Sequence, residues 1–134
     1  MGNVRFATAI HIMTLLAYMD EEVLSSEYIA GSININPVLV RKELVNLRNH
    51  GLVQSREGKG GGAMLAKPPK QILLADIYNA VRQAPLLGRS NHPNPACEVG
   101  RQINRHIEDL YDKAEQTLVH QLGKTTLADF VKKF

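Results

Sequence analysis

Between Ser55 and Ala66 the chain reads SREGKGGGAMLA, four glycines around one lysine with an arginine at the entry. Bare glycine backbone beside cationic side chains is chemistry for an anion, because open N–H groups and basic charge both attract it. A nucleotide-binding P-loop is G-x-x-x-x-G-K-[ST] leading into a helix; here no Lys-Ser or Lys-Thr follows the last glycine, and the chain enters a strand-like AMLA run. The charge around the loop is one-sided. From Asn36 to Lys70, seven basic residues (Arg41, Lys42, Arg48, Arg56, Lys59, Lys67, Lys70) face two acidic ones (Glu43, Glu57), so 7 − 2 = +5, against +3 for all 134 residues. The basic charge is thus concentrated around the glycine loop, and the balance leans toward an anionic partner.

Other reactive side chains are sparse. The sequence has no nucleophile elbow, no HExxH and no paired carboxylates with a matching partner, which argues against an enzyme. Glu108, Asp109 and Asp112 read as the polar face of a helix. Cys97, the single cysteine, allows neither an internal disulfide nor an all-cysteine metal site. His92, His106 and His120 form no compact ligand motif with it, so no metal is expected. Cys97 has two readings: a redox-sensing thiol, favoured by the positive end of a helix dipole, or a buried cysteine filling the joint before that helix. No apolar run is long enough to cross a bilayer and no signal peptide is evident, so a cytoplasmic protein with no membrane partner is expected.

The elements that hold these residues are mostly helical. Val4 to Met19 carries Ala9, Ile12, Met13, Leu16 and Ala17 at helical spacing without Pro or Gly. The segment SSEYIAGSI starts with serines able to cap a helix and ends near Ser32, where Asn34 tolerates a left-handed turn. Asn36 then serves as N-cap and Pro37 as first residue of a third helix that runs to His50, with Gly51 placed to end it. Two short helices joined by a tight turn are a helix-turn-helix. On a helical wheel, Val40, Leu44 and Leu47 face the core, while Val38, Arg41, Lys42, Val45 and Asn49 face away. Cations mixed with small apolar groups suit DNA phosphates and thymine methyls; the plain alternative is a solvated face.

Next, LVQSR and AMLA flank the glycine loop as two strands of a hairpin. Three helices followed by a hairpin are the order of a winged helix, with the glycine loop as the wing. After Pro68-Pro69, ILLADIYNAVRQA predicts a helix burying Leu74, Ile77, Tyr78 and Val81. A Pro, Asn and Gly-rich loop follows. Val99, Ile103, Ile107, Leu110, Ala114, Leu118 and Leu122 then recur at steps of three and four along a helix of about seven turns, a seam suited to pairing with a second chain. Thr126 caps a short final helix. The fold class expected is mainly α with a small β-hairpin: a winged helix-turn-helix domain (1–84), a loop (85–96), and a dimerisation helix with a C-terminal helix (97–134).

The succession LVNLRNHGLVQS, GKGGGAMLAKPP, ILLADIYNAV and TLADF resembles the Rrf2 family of bacterial winged-helix transcription regulators over nearly the whole length. The resemblance implies a homodimer on a pseudo-palindromic double-stranded operator, with the third helix in the major groove and the wing in the adjacent minor groove. Well-studied members hold an iron-sulfur cluster on three cysteines in the loop before the long helix. Here GRSNHPNPACEVG keeps only Cys97, similar to the last of the three, so no cofactor is expected and the chain is more similar to the cluster-free, YwnA-like branch. Relatives often carry Tyr-Leu-Glu where this chain has Leu39-Val40-Arg41, so their operator sequence does not transfer.

The expected DNA contacts are Ser26, Asn36, Val38, Arg41, Lys42, Val45, Arg56, Lys59 and Gly60. The expected dimer contacts are Val99, Ile103, Ile107, Leu110, Ala114 and Leu118, and Cys97 is the redox-sensing candidate. The function expected is a homodimeric DNA-binding regulator, a repressor, responsive to thiol chemistry. Two alternatives stand beside it: a winged helix used as a protein-interaction module, and a repressor with a small-molecule effector of unknown identity.

Overall fold

The computed structural model describes residues 4–83 and 85–134. Residues 1–3 and 84 of the expected first unit therefore lie outside the described residues. Helix α1 (Arg5–Tyr18) buries Ala9, Ile12, Met13, Leu16 and Ala17, the five residues its periodicity marks. Helix α2 (Ser26–Ile33) is capped by Ser25, whose hydroxyl accepts the Tyr28 N–H at 3.1 Å. Asn34 ends it in the left-handed region at φ 64°. Helix α3 (Pro37–Asn49) starts as the sequence dictates: the Asn36 side chain accepts the Val38 N–H at 2.9 Å and Pro37 takes the first helical position. The two helices are thus joined by the three residues 34–36.

Strands β1 (Val53–Arg56) and β2 (Gly62–Leu65) pair antiparallel with Val53 opposite Leu65 and Arg56 opposite Gly62. The hairpin is tied to the helices by a pairing that periodicity did not reveal. Leu24, just before α2, exchanges two backbone hydrogen bonds with Ala63 of β2, at 2.9 and 2.8 Å. Helix α4 (Leu74–Val81) starts later than ILLADIYNAVRQA suggested, because the Asp76 carboxylate accepts the Leu73 N–H at 2.8 Å and fixes the first turn there. Leu74, Ile77, Tyr78 and Val81 are buried.

Helix α5 (Glu98–Leu122) has 25 residues, about 37 Å of helix. None of them is buried in the single chain. Helix α6 (Leu127–Val131) is capped by Thr126, whose hydroxyl accepts the Asp129 N–H at 3.0 Å. It packs on α1 with Leu127 fully buried in the same core as Ile12, Ile29, Val40 and Ile77. The Leu74 N–H donates to the Thr125 carbonyl and the Leu127 N–H to the Ile72 carbonyl, stitching the approach to α6 alongside the approach to α4. By packing, then, α6 belongs with the winged-helix body and α5 is an excursion from it.

Candidate nucleic-acid interface

Helix α3 divides as its wheel predicts, with one difference. Val40 and Leu47 are fully buried and Leu44 is half-buried against the core. Val38, Arg41, Lys42, Val45 and Asn49 are exposed, as is Leu39. The difference is Glu43, only 6 % exposed and the sole buried charged residue among the described ones. Its carboxylate accepts from the Arg5 guanidinium at 3.0 and 3.2 Å and from the Asn46 side-chain amide at 2.8 Å. Asn46 also donates to the Ala80 carbonyl at 2.9 Å. A buried carboxylate requires such partners, since leaving it bare would cost several kcal/mol. The consequence is positional: α1, α3 and α4 are fastened through the side of α3 turned from solvent, which fixes the exposed side.

Arg41 carries a partner that sequence reasoning missed. Its guanidinium donates to Glu27 of α2 at 2.8 Å, with both side chains largely exposed. The hydrogen bond from Arg41 holds the Glu27 carboxyl below its ordinary 4.5, so the pair is ionised at neutral pH. A ligand phosphate reaching Arg41 must compete with this carboxylate. Ser26 is half-buried in the first turn of α2, and the capping role falls to Ser25. Asn36 spends its side-chain oxygen on the cap of α3 and remains exposed.

In the wing, Gly58, Lys59, Gly60 and Gly61 form a turn closed by the Gly61 N–H donating to the Gly58 carbonyl at 3.0 Å. Gly60 occupies its third position at φ +78°, which side chains resist. That places Lys59 at the exposed tip, with exposed Arg56 at the end of β1. The last glycine has another cause. A Cβ on Gly62 would stand 2.2 Å from the Leu24 carbonyl oxygen, so the close pairing with Leu24 requires its absence.

The long-helix candidates separate into two groups. Val99 and Leu110 are 67 % and 62 % exposed and Ile103 is open as well, whereas Ile107, Ala114 and Leu118 are half-buried. Towards its C-terminal end α5 is held on α4, where Glu115 accepts from Arg82 and from the Tyr78 hydroxyl. Burial first, and the Glu115 charge second, raise the Tyr78 phenol above its ordinary 10.0. Cys97 is the N-cap of α5 and is exposed, its sulfur accepting the Gly100 N–H at 3.4 Å. The reading of Cys97 as a buried filler of the joint is therefore corrected for the single chain. As the N-cap, Cys97 turns its side chain to the first turn of α5 and not into the core.

Residues 3–133 match the model of the Rrf2 family, described as an iron-dependent transcriptional regulator. The chain belongs to the Rrf2 family. It is 38 % identical over 130 residues, 96 % of each chain, to YwnA of Bacillus subtilis (strain 168), a protein assigned as an HTH-type transcriptional regulator. A crystal structure of a protein assigned as DNA-binding superposes with a TM-score of 0.76 at 35 % identity, covering 94 % of this chain and 97 % of that one. The fold is also that of CymR, the global cysteine regulator of B. subtilis, with a TM-score of 0.73 at 24 % identity over 100 % and 98 % of the two chains. This is a mainly helical winged-helix regulator and not an enzyme. The residues present do not fit the iron of the family description. Cys97 is the single thiol, and among the described residues no group of three or more His, Cys, Asp or Glu is placed to hold a metal. No helix among the described residues is long and apolar enough to cross a membrane.

Proposed function

We propose that this Rrf2 regulator is a homodimeric, sequence-specific DNA-binding repressor that works without a metal cofactor, in the compartment that holds the DNA. One observation carries the reading: the exposed side of α3 interleaves Arg41 and Lys42 with Val38, Leu39 and Val45. Cations there meet phosphates and guanine edges, and the aliphatic groups meet thymine methyls. Arg56, Lys59 and the Gly60 backbone contact the adjacent backbone or minor groove, and Ser26 and Asn36 sit at the helix starts nearest phosphate. A protein-interaction module would need an acidic or apolar patch where Arg41, Lys42, Arg56 and Lys59 are exposed. The α5 seam of Val99, Ile103, Ile107, Leu110, Ala114 and Leu118 joins two such chains, as operators with two half-sites require. The test is selection of bound fragments from genomic DNA by the purified protein, followed by a salt titration on the recovered site. A recurrent palindromic sequence with steeply salt-dependent affinity is expected. Recovery of fragments without a common sequence would sink the reading.

A second reading concerns the signal and rests on Cys97 being exposed at the N-cap of α5. Two thiols give up two electrons and two protons to an oxidant such as diamide, forming a disulfide across the dimer or with a small thiol. Either product changes the start of the seam helix and hence the spacing of the two α3 helices, which must match about one turn of DNA. Cys97→Ser should bind DNA as the wild type does and keep it in diamide. Equal release from both proteins would leave Cys97 with no sensing role.

A further inference from the structure

A cavity of about 610 Å³ lies where the start of α1 meets the side of α3, with Gln83, just beyond α4, on its wall. Its volume falls within the range of small-molecule sites, about 300–1,000 Å³. Two kinds of surface line it. Val4, Ile35, Leu39 and Val45 supply aliphatic wall, and all of these but Ile35 are exposed although large and apolar. Arg5, Lys42, Glu43, Asn46 and Gln83 supply polar wall. The polar groups are not equally available. Glu43 is buried, and its oxygens already accept from Arg5 at 3.0 and 3.2 Å and from Asn46 at 2.8 Å. Lys42 is exposed and has no hydrogen-bond or ion-pair partner among the described residues. Two cations against one carboxylate leave the wall with one positive charge, and Lys42 carries it.

Those two surfaces define a ligand. A cation is repelled by Lys42, a small inorganic anion leaves the aliphatic wall wet, and a polyanion brings more charge than one ammonium can match. One negative charge joined to a hydrocarbon body satisfies both walls. We propose that the cavity binds a small monocarboxylate with an aliphatic or aromatic body, and that this ligand and DNA exclude each other. The carboxylate accepts from the Lys42 ammonium, and the body lies along Ile35, Leu39 and Val45. Exclusion follows from shared residues. Lys42 and Val45 are also the α3 groups assigned to phosphate and thymine methyl, and a helix carrying a ligand on that side no longer fits the major groove. The coupling is reciprocal, so the operator lowers ligand affinity by the factor by which the ligand lowers operator affinity. The inference rests on α3 being the DNA-reading helix, and it gives an effector of that repressor a chemical class.

The experiment uses the full-length protein and two probes, 2-naphthoate and octanoate, titrated first without DNA by calorimetry. Both should bind saturably, and 2-naphthamide, which has the same rings and no charge, should bind about tenfold more weakly or worse. Lys42→Gln removes the anchor and Gln83→Glu adds a carboxylate to the wall; both residues are exposed, so each variant folds. Each should raise the dissociation constant of the probes by about tenfold or more. Saturating probe should release the operator from the wild type. Gln83 is outside the proposed DNA surface, so Gln83→Glu should bind the operator as the wild type does and require more probe to let it go. No saturable binding of either probe strikes the site, whatever the DNA does. Binding that Lys42→Gln leaves unchanged places the probe elsewhere and overturns the assignment. Equal affinity for 2-naphthamide overturns the carboxylate. A saturated protein that keeps its operator overturns the exclusion. If the protein has no sequence-specific DNA binding, the reading of α3 fails and the exclusion with it, while the calorimetry still decides the cavity.

Discussion

Helices α3 and α5 both expose aliphatic side chains, but in different company. On α3, Val38, Leu39 and Val45 alternate with Arg41 and Lys42. On α5, Val99, Ile103 and Leu110 form a stripe, and the charges Glu98, Arg101, Glu108 and Asp109 lie off it. An exposed apolar group among cations fits a surface that is itself striped with anions and methyls. A stripe free of charged side chains fits another apolar surface better than it fits DNA. The same residue types therefore point to different partners according to how they are interleaved.

The sharpest break of this comparison is to reverse the charges on α3. Arg41→Glu with Lys42→Glu should lower DNA affinity by about 100-fold or more while the protein still sediments as a dimer; Leu110→Asp should sediment as a monomer and lose affinity for the two-half-site operator while keeping its weak binding to a single half-site. If the α3 variant also loses the dimer, or the Leu110 variant also loses the half-site, the two faces do not act separately.

Next in size is the buried support of α3. Glu43→Ala removes the acceptor shared by Arg5 and Asn46, and should cost about 2 kcal/mol, or roughly 5 °C in Tm. A melting temperature within a degree of wild type would mean that α3 is held by its apolar side alone. Lys59→Ala should weaken binding to every sequence alike and reduce the salt slope by about one ion. A loss confined to one operator variant would make the wing a reader of bases.

The smallest effect should come from Glu27→Gln. Releasing Arg41 from an exposed pair should tighten DNA binding by about two- to threefold. Because the paired Glu27 carboxyl lies below 4.5, the pair weakens only as the pH falls through that lowered value, and wild type and variant should converge there. No difference at neutral pH would show that the carboxylate does not compete with DNA.

How far the sequence announces these features depends on the range of the interaction. The cap of α3 by Asn36 and Pro37, the core stripe of α1 and the glycine turn at the wing are local, and each was legible from neighbouring residues. The Leu24–Ala63 pairing is a single bridge with no period to detect, although the need for glycine at position 62 is its trace. Glu43 lies about 40° from Leu47 on the wheel, so its inward position was readable. Its charge argued the other way, and the compensating Arg5 is 38 residues distant. The Arg41–Glu27 pair likewise joins two helices whose relative placement no local pattern encodes. Placement of α6 on α1 depends on Leu127 and on backbone bonds around Thr126, which a helical pattern of five residues cannot assign to one neighbour or another.

The position of α6 also sets an order of events during synthesis. Ile12, Met13 and Ile72 leave the ribosome early, yet the core they share lacks Leu127 until more than fifty residues after Ile72 have been added, α5 among them. Until then the nascent winged helix keeps apolar surface uncovered, while the seam of α5 is already available to a neighbouring chain. A chain on the ribosome is thus an unfinished body first and a closed one only after residue 127 has emerged.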